Sequence, residues 1–210
     1  MSKTYVVLLH GWGLSSFATR YWRSRLGVAG FEASPFAYPS RAQSLNANAA
    51  ALAAHVRGLP GDGSVHLVGH SLGGIMIMQC LAAHALPRVK RVVMVGTPFQ
   101  GSAAAQRLNG TRWGRLVLGK TIVQWHGVQA KDLPSGLDVG TIAGTRPFGV
   151  GQILGRIEAP HDGTVSLRET EVPFATDQLV MHVTHSEMLV SAHVTTQIAY
   201  FLRHGRFERS

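Results

Sequence analysis

The clearest signal along the chain is a set of short apolar runs separated by longer stretches of helical spacing. Tyr5–Leu9 is a continuous apolar run with β-branched residues, the pattern of a strand buried on both faces. Ser64–Val68 and Arg91–Val95 repeat that pattern, and Val139–Ala143 and Leu179–Val183 predict two more strands. Between them lie helix signals. Asn46–His55 is alanine-rich, with Leu45, Leu52 and Val56 at helical spacing. Leu72–Ala85 is long enough for a helix and is closed by Pro87, and Ser191–Leu202 predicts a final amphipathic helix. Buried strands alternating with helices predict an α/β fold, a mostly parallel sheet covered by helices on both faces. Such sheets bind ligands beyond the carboxyl ends of their strands.

Length and composition narrow the picture. The 210 residues (22.6 kDa) fit one domain spanning 1–210, with a core large enough to need no disulfide or metal staple. A hydrophobic content of 45% excludes intrinsic disorder. The single cysteine, Cys80, cannot form an intramolecular disulfide and reads as a small buried residue. The apolar start is too short for a signal-peptide core, and no run approaches the ~18–20 residues of a membrane-spanning helix. The expectation is a soluble, cytoplasmic protein.

Glycine is in excess, 24 residues, and much of the excess falls just after the predicted strands. His10-Gly11-Trp12-Gly13 follows the first, Gly69-His70-Ser71-Leu72-Gly73-Gly74 the second, and Gly96-Thr97-Pro98-Phe99-Gln100-Gly101-Ser102 the third. Ser71 stands in a Gly-x-Ser-x-Gly pattern between a strand and a helix. A tight turn there forces strained backbone angles on the serine and needs small neighbours. It lifts the hydroxyl above the sheet, next to the positive end of the following helix.

A serine hydroxyl attacks only if a base takes its proton and an acid orients that base, in the chain order Ser, Asp or Glu, His on this kind of scaffold. Among the downstream histidines (84, 126, 161, 182, 185, 193, 204), His185 is favoured because it lies in a loop between strand and helix. His182, read as inside the strand, is its rival, and His193 falls within the last helix. Of Asp132, Asp138, Asp162 and Asp177, Asp162 is favoured, sitting in the turn Pro160-His161-Asp162-Gly163-Thr164; Asp138 opens a strand instead of closing one. The oxyanion needs two backbone donors, for which Leu72 and Trp12 stand at the right places. His10, His66 and His70 read as structural.

Together these segments resemble the α/β-hydrolase superfamily, most closely its small bacterial lipase and esterase branch. The resemblance runs from about Tyr5 to Leu202. It rests on the His-Gly-x-Gly loop, the Gly-His-Ser-Leu-Gly-Gly turn, the Gly-Thr-Pro-x-x-Gly-Ser segment, Asp162-Gly163-Thr164-Val165 and Thr184-His185-Ser186-Glu187-Met188-Leu189. It implies an α/β-hydrolase fold and a serine esterase or lipase that needs no cofactor or metal. In it Ser71 is the nucleophile, His185 the base and Asp162 the orienting acid, with Trp12 and Leu72 as oxyanion donors. It leaves room only for a small cap within 98–137, where Arg112–Lys120 would be a rim element. The substrate would be a small-molecule or lipid ester. Thioesterase, acyltransferase and amidase chemistry use the same triad, and a silent hydrolase fold that only binds is a further alternative.

The charge set is sparse, 15% of residues, yet sums to +9. The segment 63–131 holds no acid and eight Lys or Arg (Arg88, Lys90, Arg91, Arg107, Arg112, Arg115, Lys120 and Lys131). This predicts positive potential at the pocket mouth and weak contact with anionic membrane surfaces. Nucleic acid is not an expected partner, because the basic residues are dispersed and not interleaved with aromatics.

Overall fold

The apolar runs pair edge to edge as a single parallel sheet. In the computed structural model, which describes residues 3–101, 128–149 and 157–209, β1 (Tyr5–Leu9), β2 (Glu32–Phe36), β3 (Val65–His70), β4 (Val89–Val95), β5 (Asp138–Gly144) and β6 (Asp177–Met181) lie in the order β2-β1-β3-β4-β5-β6. Every pairing between them is parallel. Four described helices cover the sheet: α1 (Arg20–Val28), α2 (Leu45–Arg57), α3 (Leu72–Ala83) and α4 (Ala192–His204).

The strand period of two sorts the side chains between two cores. Val7 and Leu9 of β1 pack with Leu52 and Val56 of α2 and Met76 and Cys80 of α3. Val6 and Leu8 point the other way, into a cluster with Trp22 and Leu26 of α1 and Ile198 and Phe201 of α4. Burial of both faces is why β1 is apolar from Tyr5 to Leu9. The helix ends are set by local chemistry. Ser44 and Ser191 accept hydrogen bonds from Ala47 N (3.1 Å) and Val194 N (3.3 Å), capping α2 and α4. Among the described residues no helix is long and apolar enough to cross a membrane.

Three features depart from the sequence pattern. β2 was not expected, since Glu32-Ala-Ser-Pro-Phe36 is neither apolar nor alternating. As an edge strand paired only to β1 it tolerates Pro35, which has no N–H to donate. α1 was also unmarked, because only Trp22 and Leu26 of its nine residues are buried and three arginines interrupt the pattern. The last strand is shifted two residues earlier than the apolar run Leu179–Val183 implied. It starts at Asp177 and ends at Met181, so His182 lies just beyond it and is exposed. The Arg112–Lys120 segment and most of the expected cap lie outside the described residues.

Candidate active site

β3 runs straight into α3 through one residue, Ser71. Its backbone takes φ 53° and ψ −120°, making it the one non-glycine residue with positive φ among those described. An L-residue reaches that region only under strain, which the surroundings must hold in place. Two of them do. Ser71 N donates to Val95 O (2.8 Å), carrying the β3–β4 ladder one residue past the strand, and Gly74 N closes onto Ser71 O (3.0 Å). The turn also requires bare backbone on either side. A Cβ at Gly69 would lie 2.5 Å from Gly73 C and Gly74 N, and one at Gly73 would lie 2.8 Å from the carbonyl oxygens of Leu9 and His10. The Ser71 hydroxyl is half-buried and does not cap α3.

The loop after β1 closes against this turn. A Cβ on Gly11 would stand 3.3 Å from Ser71 Cβ. The loop is held from the far side by residues that carry no sequence signal of their own. Tyr38 Oη donates to His10 O (2.5 Å), its ring stacks on His10 at 4.2 Å, and Ser40 Oγ accepts from Gly13 N (3.0 Å). Burial pushes the Tyr38 hydroxyl well above its ordinary range and the His10 imidazole below its own. Trp12, half-buried, packs on the α2–α3 core with the Arg41 guanidinium 5.3 Å above its ring. Leu72 begins α3 and is buried.

Asp162 and His185 meet over the carboxyl ends of β4 and β5, Asp162 against Gly144 and the imidazole against Gly96. Asp162 is fully buried (0% exposed) and His185 nearly so (8%). His185 Nδ1 donates to Asp162 Oδ2 at 2.7 Å, and His185 N donates to Asp162 O at 2.9 Å. The other carboxylate oxygen, Oδ1, accepts from Thr164 N (2.9 Å) and Val165 N (2.7 Å). The acid turn is tight enough to need glycine. Gly163 sits at φ +94°, where a Cβ would come within 2.2 Å of Phe148 O. With Nδ1 donating, the lone pair of the neutral imidazole is on Nε2. Such a ring can take a proton from a hydroxyl.

The other candidates are placed elsewhere. Asp138 and Asp177 open β5 and β6 at the amino ends of the strands. There they pair with Arg91 (3.0 Å) and Arg209 (2.5 Å). Asp132 is exposed and accepts from Gln129 N. His182 and His193 are exposed, His161 accepts from Gly163 N within the acid turn, and His126 lies outside the described residues. His185 shares its environment with the serine turn. The imidazole lies on Gly96, whose Cβ would be 3.1 Å from Nδ1, and its ring centroid is 4.6 Å from that of His70.

Three of the eight cations in the acid-free segment stand together at one end of the sheet. Arg88, Lys90 and Arg91 stand at the start of β4, the end opposite Ser71. Arg88 is spent there on the carbonyls of Leu59, Pro60 and Gly63, and Arg91 on Asp138 and the end of α4. These three charges therefore do not line the mouth. Arg107, Arg112, Arg115 and Lys120 lie outside the described residues.

Solved structures carry the same architecture. Bacillus licheniformis lipase BlEst2 in its mature form matches with a TM-score of 0.75 at 22% identity, covering 96% of this chain and 91% of that one. The metagenomic carboxyl esterase MGS0156 matches at 0.66 and 18% identity, over 88% of this chain and 65% of that one. The RedJ thioesterase of the prodiginine pathway in Streptomyces coelicolor matches at 0.63 and 14% identity, over 96% and 85%. A search by sequence among curated proteins returns no match. The family model for the alpha/beta hydrolase family spans residues 6–196, from β1 to the first turns of α4, and the chain belongs to that family.

Proposed function

We propose that this hydrolase cleaves carboxylic esters through an acyl-enzyme on Ser71. The observation that supports the reading is the buried Asp162–His185 pair at 2.7 Å, whose imidazole centroid is 4.6 Å from that of His70, the residue before the strained serine. Ser71 Oγ attacks the ester carbonyl carbon while its proton passes to His185 Nε2. The backbone N–H groups of Leu72 and Trp12 receive the oxyanion, each such donor contributing on the order of 2.7–4 kcal/mol to the transition state. The tetrahedral adduct collapses, the C–O bond to the alcohol breaks, and His185 returns the proton to the leaving alkoxide. Water then repeats the sequence, releasing the carboxylic acid and free Ser71. Asp162 holds the imidazole in the Nδ1–H tautomer and stabilises the imidazolium as it forms.

The substrate class is a small-molecule ester with a short to medium acyl chain, since the 98–137 segment offers cover for no more than a small cap. The test begins with a fluorophosphonate probe, expected to label Ser71 in the wild type and not in Ser71→Ala. An unlabelled wild-type protein overturns the nucleophile. A series of p-nitrophenyl esters of rising chain length, with matched thioesters, then reads the acyl group. Highest kcat/KM is expected on the shorter oxygen esters. Faster thioester turnover overturns the leaving-group assignment, and best activity on long-chain emulsions overturns the chain length.

A further inference from the structure

His185 is fixed at three points. Two of them, its N–H and its Nδ1, run to Asp162. The third is its backbone carbonyl, which accepts from His70 Nε2 at 2.9 Å. The first two tie the histidine turn to the acid turn. The third ties it to the serine turn, because His70 is covalently next to Ser71. We propose that His70 is a positioning residue, clamping the His185 turn to the residue before the nucleophile so that imidazole and hydroxyl stay in register. The proposal rests on the reading of Ser71, Asp162 and His185 given above.

Stability alone does not account for an imidazole here. With Nε2 donating to the His185 carbonyl, Nδ1 carries the lone pair, and it is buried without any hydrogen-bond partner. An unmet buried acceptor is costly and rare in native proteins. A Cβ on Gly11 would come 3.0 Å from it, so the oxyanion loop presses its bare backbone against this edge of the ring. His70 is thus held between that loop on one side and the His185 turn on the other, with its ring centroid 6.3 Å from that of Trp22 in an edge-on arrangement. Trp22 Nε1 in turn donates to Met188 O (3.0 Å), a second tether on the same turn.

The groups facing His70 are His185, Asp162 and His10, and the ring stays uncharged among them. Burial first, and then the neighbouring His185, push its pKa down to about 3. It therefore serves as a neutral donor and brings no positive charge to the side of the base. A misplacement of ~1 Å at the reacting atoms costs roughly 100-fold in rate. A carbonyl clamp on the residue just before the nucleophile is well placed to prevent it.

The test compares His70→Gln with His70→Asn. Glutamine carries its amide nitrogen to about the place of Nε2, whereas asparagine stops near Nδ1. The two variants make similar demands on folding, checked by circular dichroism and Tm. Expected for His70→Asn is a kcat lower by roughly 10–100-fold with KM within about twofold of wild type. The downfield proton resonance of the Asp162–His185 hydrogen bond should broaden or vanish with it. His70→Gln should keep that resonance and a kcat within about threefold. Equal kcat in the two variants, or a resonance untouched in His70→Asn, overturns the proposal. The resonance is read without turnover, so the clamp is tested even where phosphonate labelling has refuted Ser71 as nucleophile.

Discussion

Acid should destabilise this fold through His66, at a pH where carboxylates contribute little. His66 lies in β3, 4% exposed, with Nδ1 buried and without a hydrogen-bond partner. Burial, and then the charge of Arg91, hold its pKa near 4, against 6.5 for the free side chain; Asp138 offsets this only in part. The folded pKa lies below the unfolded one, so as pH falls through 6.5 the unfolded chain takes up a proton that the folded one refuses. The contribution is complete above pH 6.5 and is lost progressively down to about 4. One pKa unit is worth about 1.4 kcal/mol, so His66 alone removes about 1 kcal/mol of stability between about pH 7 and about pH 5.5. Urea unfolding of wild type and His66→Leu at both pH values isolates this contribution, because effects common to both proteins cancel. With a urea slope of ~2 kcal/mol/M, the wild-type midpoint should fall by about half a molar more than that of the variant. The absolute stability of His66→Leu is immaterial. Equal acid-induced shifts in the two proteins would refute the reasoning.

Two further outcomes concern the acid turn. Asp162→Asn offers His185 Nδ1 an amide donor, favouring the tautomer with its proton on Nε2; kcat should drop by roughly 10³–10⁴-fold with the fold intact, measured as ester turnover alongside circular dichroism. Gly163→Ala adds a Cβ at φ +94° against the Phe148 carbonyl. That should cost about 2–3 kcal/mol, seen as a Tm lower by roughly 5–10 °C, and an unchanged Tm would show the turn to be adaptable.

What could be read in the chain follows from how many faces each segment buries. β1, β3, β4 and β5 are covered on both sides, so burial wrote itself into them as mostly apolar runs, broken by residues such as buried His66 and Thr141. β2 buries little beyond Phe36 and pairs on one edge only, which let Glu32 and Pro35 stand where no strand pattern allows them. At β6 the alternation of exposed and buried residues begins at Asp177, whose carboxylate is engaged by Phe207 N and Arg209, interactions that come from the far end of the chain and leave no local trace. The site was legible where backbone demands a residue type, as at Gly69, Ser71 and Gly73. The order Ser71, Asp162, His185 was an expectation from the chain, and the contact between the last two is a tertiary fact that no local pattern carries. Tyr38, Ser40 and His70 support the site through single hydrogen bonds to backbone, for which many residue types would have looked equally apt. The positive segment misled for a related reason. Sequence proximity to Ser71 put Arg88 and Arg91 near that serine, whereas β4 carries them a full strand length away.

The bond from Ser71 N to Val95 O makes Ser71 the last rung of the sheet as well as the first residue of a turn. Its position is therefore inherited from the framework and not from the loops around it. The loop after β1, which closes on Ser71 at Gly11, can change beyond that point without relocating the Ser71 backbone. Under the proposed function, divergence in the substrate accepted is thereby decoupled from preservation of the attacking serine.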